Sequence, residues 1–168
     1  MTWVFIGLIV VILGWTLAIY NRLVRAKNQQ AESWSGVDVQ LKKRADLVPA
    51  LVECVSGYRD HEASVQQQVA ATRALENPAD KLRALVAVAE SYPELKAAES
   101  FQDLMKKLVA IEDDLQFARR YYNGSVRDFR NLAESFPSNL IAGWFKFQPN
   151  TFFEVDSVLE RNNPEVKL

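Results

Sequence analysis

The sequence predicts an all-α protein, in which an N-terminal transmembrane helix is followed by an elongated antiparallel helical bundle with two long helices. Residues 1–21 carry no charged side chain. Two later stretches repeat apolar residues every three or four positions, as helices that bury one face do. No stretch alternates convincingly between apolar and polar residues, so strands are not expected.

The uncharged first twenty-one residues predict the transmembrane helix. At about 1.5 Å per residue, such a helix would extend roughly 31 Å, close to the roughly 30 Å of hydrocarbon in a bilayer. Trp3 and Tyr20 lie near its ends, where aromatic residues prefer the headgroup layer. The alternative is a cleaved secretory signal with Thr16-Leu17-Ala18 as its cleavage site. Against it, the run has no basic start and is longer than the apolar part of most signals.

The basic residues that follow the span predict its orientation. Arg22, Arg25 and Lys27 come directly after it, whereas only the terminal amine precedes it. Because such residues stay preferentially in the cytoplasm, we expect Met1 outside and the bulk of the chain inside. The expected location is the inner (cytoplasmic) membrane, with a single pass.

Composition narrows the classes of function. The chain has 20 Lys and Arg against 21 Asp and Glu, interspersed, so no basic surface for nucleic acid is expected. Cys54 and His61 are its only cysteine and histidine. A disulfide within one chain is therefore impossible, and a metal site would consist almost wholly of carboxylates. We expect no metal and no cofactor, since no phosphate-binding glycine loop or GxSxG motif is present either.

Cys54 and His61 also form the one nucleophile–base pair worth testing. They are seven positions apart, so on one helix their backbones would be separated by roughly 10 Å. A reacting thiol and imidazole must approach to about 3 Å. We therefore expect no catalytic residues, and an enzyme is the least favoured class.

The first apolar stripe predicts a long helix from residue 23 to 58. No Gly or Pro lies between Tyr20 and Ser35, so the spanning helix can continue into it without a break. Pro49 predicts a kink, and Gly57-Tyr58 predicts the helix end. The stripe comprises Trp34, Val37, Leu41, Ala45, Val48, Val52, Val55 and Tyr58.

Three further helices are expected. Residues 61–75 and 79–90 are separated by Asn77-Pro78, and residues 91–94 form a turn in which Pro93 suits the first position of the next helix. The second long stripe then runs from residue 95 to about 132. It comprises Phe101, Leu104, Leu108, Ile111, Leu115, Ala118, Tyr122, Val126 and Phe129.

The C-terminal part is rich in aromatic residues and is expected to be irregular, because Pro137, Gly143 and Pro149 interrupt it. The first interpretation packs these rings over one end of the bundle; the alternatives are a membrane-surface contact or an oligomer contact. The predicted segments are therefore residues 1–21, 22–135 and 136–168. The candidate core and assembly residues are Trp34, Leu41, Pro49, Tyr58, Phe101, Tyr122, Phe136, Trp144, Phe152 and Phe153.

Three runs of the sequence resemble the LemA family of bacterial membrane proteins. The first is DVQLKKRADLVP at 38–49, after Trp34; the second is AESYPELKA at 89–97; the third joins ARRYYN at 118–123, VRDF at 126–129 and FPSNLIAG at 136–143. Ala45, Ala50 and Arg130 depart mildly from the family pattern. The resemblance implies one N-terminal membrane helix and a cytoplasmic all-helical domain, and it carries no catalytic residues to transfer.

Two non-enzymatic functions follow as expectations. The first is a structural or scaffold protein of the bacterial inner membrane, which self-assembles through its helical domain as a homo-oligomer and organises or remodels the membrane. Its partners would be the lipid bilayer and further copies of the chain, since confinement to a membrane promotes association. The second is an adaptor that presents the bundle to another membrane protein, such as a protease, transporter or sensor.

Overall fold

The computed structural model describes residues 1–58 and 63–153. Within that part of the chain every regular element is a helix, and no strand occurs. The elements are α1 (Thr2–Tyr58), α2 (Ala63–Ala74), α3 (Pro78–Glu90), α4 (Pro93–Ala97), α5 (Glu99–Glu134) and α6 (Ser138–Trp144). The predicted all-α class is confirmed.

Helix α1 is continuous from the apolar N-terminus to Tyr58, as the lack of helix breakers between Tyr20 and Ser35 predicts. An 18-residue window near its start has a mean hydropathy of 2.4 and is not buried at all. By length and composition, α1 can cross a membrane, so the N-terminal helix is compatible with membrane anchoring. Pro49 lies inside α1 and is exposed, and the kink remains a prediction.

Helix α3 begins where Asn77-Pro78 predicts a break. The Asn77 side chain accepts a hydrogen bond from the Ala79 N–H at 2.9 Å, which satisfies one of the free donors of the first turn. Pro78 occupies the first turn, where a missing N–H costs nothing. The predicted second helix began at residue 61; residues 59–62 lie outside the described part, and α2 is described from Ala63.

The second stripe is not one helix, contrary to the expectation of a single run from residue 95 to 132. Ala98 is extended (φ −63°, ψ 129°) and separates α4 from α5. Leu95 and Phe101 are six positions apart, so on one helix they would point about 120° away from each other. The break at Ala98 allows both side chains to enter the same core.

The chain divides into two compact units. The first unit is Met1–Trp34 with Arg119–Leu168, described as far as Phe153, and the second unit is Ser35–Ala118. The second unit is built around an apolar core contributed by α1, α2, α3, α4 and α5. The buried members of that core are Val48, Leu51, Val55, Val69, Leu82, Leu85, Val88, Ala89, Leu95, Phe101 and Leu108.

The first unit has a smaller core, to which α6 contributes. Leu23 and Phe129 are fully buried there with Ile141 and Ala142 of α6. The expectation of an irregular stretch after residue 136 is therefore wrong for Ser138–Trp144. Burial of Ile141 and Ala142 against the first unit stabilises this short helix, since tertiary packing supplies most of the stability of helices in proteins. The predicted borders at residues 21 and 135 stay a prediction.

Candidate functional site

We first consider the side chains that could bind a metal ion or act as a nucleophile. Among the described residues, no group of three or more His, Cys, Asp and Glu could hold a metal ion. Cys54 is half-buried in the second unit, and its Sγ lies 3.5 Å from Ser100 Oγ. His61, its candidate base, lies outside the described residues. The candidate binding features of the described residues are therefore apolar surfaces.

An apolar groove lies among α3, α4 and α5 of the second unit, with a volume of about 570 Å³. We call it the α3–α5 groove. Its lining is Val86, Ala89, Glu90, Lys96, Phe101, Gln102, Met105, Lys106 and Val109.

The helical repeat explains how this groove is built. Phe101, Met105 and Val109 follow each other at intervals of four on α5, so they lie in one row along the helix. Val86 and Ala89 of α3 form the facing row. Phe101 is buried beneath the groove, whereas Val109 is 56% exposed at its surface. The apolar lining of the groove therefore reaches the surface at Val109.

An ion pair joins α1 to α5 within the second unit. Arg44 Nε lies 2.8 Å from Glu112 Oε1, and only 15% of the Arg44 side chain is exposed. A largely desolvated guanidinium needs such a partner, because an unpaired buried charge is costly. The pair therefore belongs to the packing between the two helices.

In the first unit, Trp34 lies against α5 and the C-terminal segment. Its ring centroid is 5.1 Å from that of Tyr122, with the planes at 61°, and 6.1 Å from that of Phe153. The Arg119 guanidinium carbon lies 4.6 Å from the Phe153 ring centroid. Tyr122 is buried, but Trp34 remains 44% exposed. One side of the indole is thus packed while the rest faces solvent.

Hydrogen bonds attach residues 151–153 to α5. The Tyr122 hydroxyl donates to the Thr151 carbonyl oxygen at 2.9 Å. The Asn123 side chain accepts from the Phe153 N–H at 2.8 Å, and it donates to the Phe153 carbonyl oxygen at 3.3 Å. Because Asn123 bonds both backbone groups of one residue, it holds this end of the segment in register with the helix.

The other aromatic residues of the segment divide into two sets. Phe145 and Phe147 pack on Tyr20 of α1, with ring centroids 4.8 and 5.7 Å away. Phe136 and Trp144 are instead 79% and 84% exposed. Packing on the helices therefore accounts for some of the rings and leaves the others on the surface.

The remaining candidate residues are placed as follows. Phe101 is buried, Leu41 is half-buried and Pro49 is exposed. The Arg130 guanidinium carbon lies 4.7 Å from the Phe152 ring centroid. The side chain of Tyr58 lies outside the described residues.

Sequence reasoning missed the α3–α5 groove. Met105 and Val109 carry an apolar signal at an interval of four, but that signal does not reveal an opening in the packing. The groove depends on how α3 and α4 meet α5, which requires the break at Ala98.

Comparison with known protein families matches residues 33–168 to the LemA family. Comparison with curated proteins gives no match. The matched region covers most of the chain and contains all the helices after α1 together with its second part. The chain therefore belongs to the LemA family.

Proposed function

We propose that this chain is a membrane-anchored, non-enzymatic scaffold protein that self-assembles through its helical domain and organises the membrane around it. The apolar part of α1 serves as the single-pass anchor. Met1 lies outside and the helical domain lies in the cytoplasm, at the inner membrane, because Arg22, Arg25 and Lys27 follow the span.

The helical domain acts as an antiparallel bundle in this proposal. The order of contacts between α1 and α5 in the second unit supports it. In the first unit, Gln29 Nε2 donates to the Tyr121 hydroxyl at 3.2 Å. In the second unit, Arg44 pairs with Glu112, and Cys54 lies beside Ser100 further along. Within the second unit, residue numbers therefore fall along α5 as they rise along α1.

The α3–α5 groove is the single observation that carries self-assembly. An apolar opening of about 570 Å³ beside a half-exposed Val109 offers a surface that association would bury. Val39 and Phe117 of the same unit are also largely exposed. A second copy can insert one of these apolar side chains into the groove. Such a contact joins two different surfaces, so it can repeat from chain to chain.

Because the copies are anchored in one membrane, a weak contact of this kind is sufficient for self-association. Copies confined to one membrane meet at a high effective concentration, and association needs no large interface. Many copies joined in this way form an array attached to the bilayer. An array of anchors then fixes the spacing of the copies in the membrane, which is the proposed organising role.

The test is the mass of the full chain in mild detergent and in lipid nanodiscs. We expect particles that contain several copies of the 19.1 kDa chain. Val109→Lys places a charge in the groove and should shift the particles to smaller species. Ala110→Lys is the matched control, because Ala110 is exposed on the same helix but does not line the groove.

A wild-type chain that is monomeric in both detergent and lipid contradicts the proposal. If the two lysine substitutions change the particle mass equally, the groove is not the surface through which the copies assemble. Crosslinking in membranes that captures one different membrane protein, and no homotypic particle, would favour the adaptor function instead.

A further inference from the structure

We infer that Phe136, Leu140 and Trp144 form a second membrane contact, seated in the headgroup layer beside the anchor. We call these three residues the aromatic foot. The inference rests on the proposed membrane anchor and adds a surface with a stated partner, the bilayer interface.

The first argument is the chemistry of the exposed face of α6. Ile141 and Ala142 are buried against the first unit, whereas Leu140 is 61% and Trp144 84% exposed. Phe136, just before the helix, is 79% exposed. A surface helix that faces water carries polar residues opposite its buried stripe. Here the outward positions carry large apolar side chains, which favour an apolar or interfacial environment.

The second argument is the level of the foot along α1. Phe136 lines a cavity of about 620 Å³ together with Trp15, Ile19 and Arg22. The Phe145 ring, next to Trp144, packs on Tyr20. The foot therefore lies beside the last third of the apolar run and beside Arg22, the first charged residue after that run.

That level coincides with the boundary of the hydrocarbon layer. Tyr20 is nineteen residues from Met1, which corresponds to about 29 Å of helix, and the hydrocarbon layer is roughly 30 Å thick. Trp and Phe side chains are favourable at this boundary. Arg22 lines the same cavity as Phe136, and Lys146 comes two positions after Trp144, so both can meet anionic headgroups.

Continuity with the anchor favours lipid over a second protein copy as the occupant. Every residue from Met1 to Trp15 is exposed. Trp15 and Phe136 line the same cavity, so the foot lies next to the apolar surface of the span. A bilayer that solvates the span also reaches the foot.

The test measures depth in the bilayer with spin labels on the full chain. The only cysteine is removed by Cys54→Ser, and one label is placed by Leu8→Cys, Leu140→Cys or Lys107→Cys. The chains are reconstituted in vesicles of phosphatidylethanolamine and phosphatidylglycerol. Collision rates with oxygen, which enters lipid, and with a water-soluble nickel chelate then report the surroundings of each label.

We expect the oxygen-to-nickel ratio at Leu140 to lie several-fold above that at Lys107 and below that at Leu8. Adding Trp144→Ser should move the Leu140 label toward water, while Gln148→Ser, at an exposed position after α6, should not. Circular dichroism of each variant verifies that the helices are retained.

The outcomes separate the two proposals. If the label at Leu140 is as exposed to water as the label at Lys107, while the label at Leu8 lies in lipid, the foot is overturned and the anchor is retained. A Leu140 label shielded from both reagents indicates a protein contact and also overturns it. A label at Leu8 that is exposed to water overturns the membrane anchor, and with it the proposed function.

Discussion

At the scale of single residues, Gln30 is the least expected feature of the first unit. Its side chain is 1% exposed, and neither its Oε1 nor its Nε2 has a hydrogen-bond partner among the residues described. Ser33, one turn later, is also buried but donates to the Gln29 carbonyl oxygen at 2.6 Å. An amide buried without partners costs about 1–3 kcal/mol of stability.

We therefore expect Gln30→Leu to stabilise the protein. Leucine has a similar volume and a comparable helix propensity, and it removes the unpaired amide. The free energy of unfolding should rise by about 1–3 kcal/mol, seen as a higher Tm of the full chain in detergent. Gln67→Leu, at an exposed position of α2, is the control and should change stability by less than about 0.5 kcal/mol. A lower Tm for Gln30→Leu would show that the amide has a stabilising partner.

Residues of this kind show where sequence reasoning stops. A stripe of apolar positions identifies the buried face of a helix, and it places Val37, Phe101 and Phe129 correctly in cores. It cannot identify Gln30, because a polar residue in the stripe carries no signal of burial. It also cannot tell how completely a neighbour covers a ring, so the partial exposure of Trp34 depends on tertiary packing.

At the scale of elements, the attachment of residues 151–153 to α5 depends on few side chains. The Asn123 amide makes hydrogen bonds to both backbone groups of Phe153, and the Tyr122 hydroxyl makes one to Thr151. Loss of one hydrogen bond typically costs about 0.5–1.5 kcal/mol. That cost is comparable with the free energy of local opening of a weakly held segment.

Asn123→Ala should release the segment without unfolding α5. We expect the Phe153 amide to lose protection from hydrogen exchange by about tenfold or more, since about 1.4 kcal/mol corresponds to a factor of ten. Amides in the middle of α5 should keep theirs. Asn131→Ala, on an exposed position of the same helix, is the control. Unchanged exchange at Phe153 would show that ring packing on Trp34 alone secures the segment.

The prediction of elements failed at two places for the same reason. Ala98 breaks the second stripe although no Gly or Pro marks it, because burying both Leu95 and Phe101 outweighs one continuous helix. Helix α6 forms in a segment with Pro and Gly at its borders, because Ile141 and Ala142 can be buried against Leu23. In both cases tertiary packing decides, and local propensity does not carry that information.

At the scale of the whole molecule, different surfaces would bind different partners. The apolar part of α1 and the aromatic foot would contact lipid, and the α3–α5 groove would contact other copies. The two lipid contacts belong to the first unit and the groove to the second. Substitutions in the groove should therefore change particle mass without changing the depth of the Leu140 label in the bilayer, and those in the foot should do the reverse.

Orientation in the membrane is the property on which this division depends. The proposed cause is the bias of basic residues: Arg22, Arg25 and Lys27 follow the span, whereas residues 1–21 carry no charged side chain. Replacing all three by Gln removes that bias while leaving the apolar run intact. A C-terminal fusion to a fluorescent protein that matures in the cytoplasm, or to a phosphatase active only outside, reports where the domain lies.

We expect the wild-type fusion to fluoresce and the phosphatase fusion to be inactive. The triple variant should lose part of its fluorescence and gain phosphatase activity, because a fraction of the chains inserts in the opposite orientation. The control replaces Lys42, Lys43 and Lys107 by Gln. It removes the same charge from exposed positions about twenty or more residues beyond the span, where basic residues have little influence on topology. Phosphatase activity in the wild-type chain would place the groove outside the cell, and assembly would then have to occur on that side of the membrane.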